Sequence, residues 1–204
     1  MIVLDLETTG LEIDGDQIVS IGAVDFLNPS RTFYEECRVS PDITLSDEVL
    51  TIIGLPLPAL MDQGKPTVKD VTGRFIRWAS SCQERTLAGE NPWFDVMFLR
   101  RATRESHLDW TFGHRYVDLH SISYASLLRA NRLPQKANGD SDLGLDRTLE
   151  YVGLERRSGP HNALNDAKLE AEALSRLIFA KSLLGEYAHH PIPSHLNPRT
   201  LAVV

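Results

Sequence analysis

Apolar and polar residues alternate through the first forty positions. In residues 1–11, Ile2, Leu4 and Leu6 alternate with Val3, Asp5 and Glu7, which predicts a short buried strand. Residues 17–26 alternate again, Ile18, Ser20, Gly22 and Val24 against Val19, Ile21 and Ala23, and predict a second strand. Residues 32–39 predict a third, with Phe33, Glu35, Cys37 and Val39 on one face. The short turns between them imply an antiparallel meander. Residues 40–66 are irregular, broken by Pro41, Pro56, Pro58 and Pro66, with one short helix expected after Ser46. The period then changes. Val68, Val71, Phe75 and Trp78 lie at helical spacing and predict a helix over 67–81. A brief strand over 86–89 follows. Asn91-Pro92 reads as an N-cap with proline in the first turn of a helix running to 105. An edge strand over 115–119, helices over 120–131 and 143–152, and a longest helix over 162–184 complete the pattern. Pro191, Pro193 and Pro198 make residues 185–204 an extended surface tail behind a single domain, 1–184. Strands in series followed by strand–helix alternation imply an α/β domain with a mixed five-stranded sheet and flanking helices.

Several carboxylates break this pattern. Asp5 and Glu7 share one face of the first strand, about 6.5 Å apart along it. Asp95 shares a helical stripe with Phe98, Leu99 and Ala102, and Asp166 shares one with Leu169, Ala173 and Leu177. Each acid alone has an ordinary explanation, at a strand end or in a first helical turn where the dipole favours it. Glu170 also lies close to the Asp166 stripe. Four acids at inward positions of three elements are harder to explain by solvation, because core acids are rare unless paired or metal-bound. Oxygen ligands without a cysteine or histidine cluster suit two divalent ions, Mg²⁺ or Mn²⁺, which clamp the attacking and leaving oxygens of a phosphodiester. His161, five residues before Asp166, is rotated from it by about 140° if both are helical. It is therefore expected in the loop before the helix, reaching the same pocket as a general base.

Composition narrows the picture without redirecting it. A chain of 204 residues, 42% hydrophobic and 24% charged, fits one globular domain. The net charge of −7 argues against a protein that coats duplex nucleic acid, but not against an enzyme gripping a few nucleotides at a metal-filled pocket. Cys37 and Cys82 match no metal spacing and read as free thiols. The N-terminus does not read as a signal peptide, and no apolar run reaches membrane-spanning length, so a soluble cytoplasmic protein with no membrane partner is expected.

Three segments carry a resemblance. Asp5-Leu6-Glu7-Thr8-Thr9-Gly10-Leu11, Asn91-Pro92-Trp93-Phe94-Asp95 and His161-Asn162-Ala163-Leu164-Asn165-Asp166-Ala167 resemble, in order and spacing, the three motifs of the DnaQ-like, DEDDh exonuclease family. Its best-known member is the proofreading subunit of bacterial DNA polymerase III. The resemblance implies a ribonuclease-H-like fold and 3′-to-5′ release of nucleoside monophosphates from single-stranded or frayed 3′ ends, with two metal ions. Carried over by position, Asp5, Glu7, Asp95 and Asp166 hold metal and His161 is the base. Thr8, Thr9 and Gly10 form the turn that holds the terminal nucleotide, and Leu11 packs on its base. Asn91 and Phe94 fall at substrate-binding positions, and Asp118 at a structural one. The chain departs from the family at Glu90-Asn91, where His-Asn is common, and at Ile52-Ile53-Gly54-Leu55, where a His-Gly-Ile-Thr-like segment is usual. These departures bear on the substrate's second nucleotide, not on the metal chemistry. DNA and RNA both remain open as substrates. An oligoribonuclease-like enzyme on short RNA and a non-catalytic nucleic-acid-binding module are the alternatives, and retention of all five catalytic positions argues against the latter. A polymerase or repair assembly is the class of protein partner considered. Arg100, Arg101, Arg104, Arg129, Arg132, Lys136, Arg156 and Arg157 are the basic residues available to guide a strand, about half of them expected to be plain surface.

Overall fold

The computed structural model describes residues 1–43 and 45–197. Five strands, β1 (Ile2–Thr8), β2 (Ile18–Asp25), β3 (Thr32–Glu36), β4 (Leu87–Gly89) and β5 (Val117–Asp118), form one sheet in the order β3-β2-β1-β4-β5. The meander β1-β2-β3 is antiparallel, and β1, β4 and β5 run parallel. The expected mixed α/β architecture is therefore present, with β1 at its centre.

The alternation in β1 sorts its side chains between two cores. Ile2, Leu4 and Leu6 pack with Val71, Phe75, Phe98 and Leu99 of α3 (Val68–Ser80) and α4 (Trp93–Glu105). Thr67 starts α3 with a full capping box, its side chain taking the Asp70 N–H while Asp70 takes the Thr67 N–H. Val3 packs on the other face with Leu119, Leu149, Ala167 and Ala171. Those residues belong to α5 (Leu119–Arg129), α6 (Leu145–Tyr151) and α7 (Ala163–Phe179). Because side chains alternate, Asp5 and Glu7 fall on this second face, where apolar residues would be expected.

The segment 40–66 contains the expected short helix, α1 (Asp47–Ile53), whose N-cap Ser46 accepts the Val49 N–H. It also holds one not expected, α2 (Leu57–Leu60). The last helix is shorter than its periodicity promised. Asn162 caps α7, but the helix stops at Phe179 because Ala180 turns left-handed, φ 50°. The extended tail is also corrected. Residues 185–197 form two 3₁₀ turns, Gly185–Tyr187 and Ser194–Leu196, and Leu196 is buried in the second core. Arg176 of α7, fully buried, donates to the carbonyls of Val152, Tyr187 and His190 and pairs with Glu172. That network ties the segment down, and proline spacing carries no trace of it. Residues 198–204 of the expected tail lie outside the described residues. No helix among the described residues is long and apolar enough to cross a membrane.

Candidate active site

One glycine lets the helix face reach the strand acids. Gly22 of β2 is the partner of Asp5 across the antiparallel register. A Cβ there would come within 2.1 Å of the Ala163 backbone, so any larger residue would push the start of α7 off the sheet. With glycine, Asp166 settles beside β1. Asn162 helps fix this approach. Its side chain caps α7 by accepting the Asn165 N–H and donates to Tyr34 Oη of β3 at 3.0 Å.

Asp95 arrives from the opposite side. Its Oδ1 accepts the Leu6 N–H at 3.0 Å. That N–H is available because β4 pairs with β1 only at Ile2 and Val3, leaving the end of β1 without a strand on that side. The side chain therefore stands in for a missing ladder partner.

The predicted acids are thus brought together. Glu7, Asp95 and Asp166 are buried, and Asp5 is half-buried. Burial pushes Asp5 well above the usual carboxylate range, and Glu170, Asp95, Glu7 and Asp166 add repulsion. Glu7 is raised to about 8 by burial and by Asp166, against the pull of Arg157. Asp95 is raised to about 7 by burial, opposed by the Leu6 N–H. Asp166 is raised by burial, opposed by Arg157 and His161. Glu7 Oε1 is buried without a hydrogen-bond partner among the described residues. Glu7, His161 and Asp166 each bring one donor atom to within 4.8 Å of the others.

His161 lies in the loop ahead of α7, as its offset from Asp166 required, with Nδ1 3.8 Å from Asp166 Oδ2. The loop is braced by the segment that departs from the family pattern. The His161 N–H donates to the Ile52 carbonyl at 2.8 Å. Gly54, left-handed at φ 69°, lies against Pro160, which would be 2.3 Å from any Cβ. In this chain, then, Ile52 and Gly54 serve the histidine loop.

The side chains of the expected substrate turn hold its own loop together. Gly10, though free as a glycine to take positive φ, is not among the left-handed glycines. It leaves room for the Asp16 carboxylate, 2.4 Å from where its Cβ would be. Thr9 is 3% exposed, and its hydroxyl donates to Asp16 Oδ1 and accepts the Gln17 N–H, so its side chain holds the loop. Thr8 Oγ1 donates to the Gly10 carbonyl at 2.7 Å. Leu11, 79% exposed, stands free beside the site.

The second motif also departs from its expected start. Asn91 is not the N-cap of α4. It turns left-handed, φ 51°, and Pro92 occupies the cap position. The Asn91 N–H donates to Asp118 Oδ1 at 3.2 Å. The same carboxylate caps α5 through the N–H groups of His120 and Ser121, which agrees with the structural role implied for Asp118. Phe94 packs on Phe98, ring centroids 4.9 Å apart, and the exposed aromatic at this edge is Trp93.

With this geometry in view, comparison with known proteins is decisive. The model of an exonuclease family, RNase_T, matches residues 2–174. The chain belongs to the DnaQ-like exonuclease family. Among curated relatives, a PolC-type DNA polymerase III of Thermotoga maritima is 27% identical over 188 residues, 90% of this chain. The DNA polymerase III epsilon subunit of Aquifex aeolicus is 23% identical over 91% of this chain and 85% of its own. The chain spans about 12% of the length of the Thermotoga relative. Among solved structures, E. coli Exonuclease I in complex with a dT13 oligonucleotide carrying 5cy superposes with a TM-score of 0.69 at 16% identity. The match covers 88% of this chain and 41% of that one. The nuclease domain of 3'hExo, a DEDDh family member bound to rAMP, gives 0.67 at 20% identity over 90% and 93%. These likenesses support the ribonuclease-H-like fold.

Sequence reasoning named three further groups without placing them in the acid cluster. Arg157 bridges Asp146 and Asp166, with Nε 2.9 Å from Asp146 Oδ1 and Nη1 3.1 Å from Asp166 Oδ2. In the sequence it is one arginine of a basic loop, and nothing local marks it. Glu170 is 2% exposed with Oε2 unpartnered, and burial, then Asp95 and Glu90, push its carboxyl well up. Its position one turn after Asp166 was the available signal. Glu90, replacing the family's histidine, is raised to about 8 by burial and by Asp118.

Proposed function

We propose that this exonuclease removes nucleoside monophosphates from single-stranded 3′ ends by metal-dependent hydrolysis. One observation carries the reading: carboxylates from three elements are buried against one another without enough cationic or hydrogen-bonding partners, beside a histidine on a braced loop. Structural acids are normally paired, and this deficit fits oxygen-seeking divalent cations. Asp5, Glu7, Asp95 and Asp166 would hold Mg²⁺ or Mn²⁺. When bound, two such ions supply an activated water and stabilise the leaving 3′ oxygen.

The chain's own residues supply the rest. Nδ1 of His161 faces Asp166, which leaves Nε2 to take the proton from the attacking water. Arg157, anchored on Asp146, holds the Asp166 carboxylate in place. The turn from Thr8 to Gly10 receives the terminal nucleotide, with Leu11 against its base and Asn91 and Phe94 at the second wall. The partner class we favour is a polymerase or repair assembly, because the matched relatives are named as DNA polymerase III chains.

A 5′-labelled single strand should shorten progressively with Mg²⁺ or Mn²⁺ and stay intact in EDTA. DNA and RNA strands run side by side would give the sugar preference. Cleavage of a circular strand would show that the enzyme does not require an end.

A further inference from the structure

The outward face of α4 carries chemistry the hydrolytic site does not use. Asp95, Phe98, Leu99 and Ala102 face inward and are buried. Trp93, Met97, Arg100 and Arg104 recur at helical spacing on the other side. A cleft of about 440 Å³ runs along this face, walled by Met97, Arg100, Arg101, Arg104 and Trp110 and, across from them, Ile13 and Asp14 of the β1–β2 loop.

Its electrostatics oppose those of the chain. Net charge overall is −7, yet the cleft gathers three guanidinium groups against one lining carboxylate, Asp14. Arg101 is committed internally, donating to the Ile13 carbonyl and pairing with Glu105 at 3.2 Å. Arg100 lies over the Trp110 ring, 4.9 Å from its centroid, and contacts His114 Nδ1 at 3.2 Å. Arg100 Nε and Trp110 Nε1 are both buried without a hydrogen-bond partner among the described residues. Arg104 is exposed and makes no side-chain hydrogen bond or ion pair among the described residues. The other basic cluster differs. Arg147, Arg156 and Arg157 are each paired with an acid, Asp142, Glu150 and Asp146.

We infer that this cleft binds the nucleotides upstream of the 3′ end, as a second subsite for the single strand whose terminus enters the acid cluster. Cations without acid partners meet phosphates, and aromatic faces meet bases without reading them. Both walls continue from the active site. The β1–β2 loop starts at the Thr8–Gly10 turn and closes on α4 through Arg101, and α4 starts at Trp93 beside Asp95. From Trp93 to Arg104 the helix rises about 16 Å, room for about four or five stacked nucleotides at 3.4 Å each. This inference rests on the strand-digesting reading above, and binding tests it apart from hydrolysis.

The test is anisotropy of a 5′-fluorescein-labelled twelve-nucleotide thymidine strand in EDTA, across a salt series, with Arg100→Gln/Arg104→Gln and, because Arg104 is exposed, Arg104→Gln alone. The double variant should bind about tenfold more weakly, and its slope of log affinity against log salt should be shallower by about 1.4, the share of two phosphate contacts on a single strand. The single variant should lose about half of that slope. Unchanged affinity and slope in both variants, in proteins that melt like the wild type, would overturn the cleft while leaving the hydrolytic reading intact. Salt-sensitive binding lost in the variants, from a wild type that hydrolyses no strand, would keep the cleft and remove the exonuclease proposal.

Discussion

Helix α7 buries charge in both halves, and the two halves treat it differently. Toward its C-terminus, Glu172 and Arg176 are fully buried and fully partnered. Glu172 Oε1 accepts from Arg176 Nε at 2.7 Å, and Oε2 accepts the N–H groups of Leu183 and Leu184 at 2.7 and 2.9 Å. The remaining Arg176 nitrogens donate to backbone carbonyls. Toward its N-terminus, Asp166 and Glu170 are nearly as buried, 4% and 2% exposed, but they face acids. Among the described residues, Glu170 Oε2 and Glu7 Oε1 have no hydrogen-bond partner, and one arginine, Arg157, serves the group. Burial alone therefore does not separate a functional charge from a structural one. The count of partners does, because a buried charge costs several kcal/mol unless its lone pairs or protons are satisfied.

The comparison predicts that damage in the two halves will register in different measurements. His161→Ala should slow hydrolysis by ~10²–10⁴-fold, the usual share of a positioned proton acceptor. It should leave the melting temperature close to wild type, since the ring is 36% exposed and its contact with Asp166 is a long one, 3.8 Å. Single-turnover rates at saturating metal test this. Full activity in the variant would remove His161 from the chemistry.

Glu172→Gln sits at the opposite pole. The amide keeps the shape but leaves Arg176 a buried cation without its counter-charge, which costs about 3–5 kcal/mol. In a domain of this size that lowers the melting temperature by roughly 6–20 °C. Urea denaturation gives the free energy. A loss below about 1 kcal/mol would mean that the carbonyl partners of Arg176 suffice, and the contrast between the two halves of α7 would fail.

How far the sequence reached follows the same division. Strands and helices were legible because period-2 and period-3.6 patterns are local, and β1, α3 and the start of α7 fell where those patterns placed them. Asp5, Glu7, Asp95 and Asp166 were legible because an acid at an apolar position violates its own local pattern. What stayed hidden depends on contacts between distant residues. Gly22 reads as one small residue in a strand, and only the approach of α7 gives it a reason. Arg157 and Arg176 are both arginines at unremarkable positions, yet one steadies the site and the other fastens residues 185–197. The four-residue helix α2 is too short to show a period, and Asn91 turns left-handed in a setting completed by Asp118. The clash that Gly10 avoids with Asp16 is hidden in the same way, because in sequence it is simply a glycine after two threonines.

The smallest expected effect is the sharpest test of the half that carries the site. In EDTA the acids can only repel one another or take up protons. Burial pushes Glu7 up to about 8 and Asp95 up to about 7 in the folded protein, against about 4 in an unfolded chain. A raised carboxylate means that the folded state binds the proton more tightly. The associated stability is present at about pH 4 and below, and is lost as pH rises through 7 and 8. Metal-free protein should therefore melt at a lower temperature at pH 8.5 than at pH 6. Asp5→Asn, which removes one charge and keeps the volume, should melt a few degrees above wild type in EDTA at pH 8.5, about 1–2 kcal/mol. Adding Mn²⁺ should reverse the order, because binding to the folded state alone stabilises it by linkage and the variant has lost a ligand. If Asp5→Asn instead melts lower in EDTA and still responds to Mn²⁺, the acids at this half of α7 are held as Glu172 is, by partners within the fold. The metal site would then have to be withdrawn.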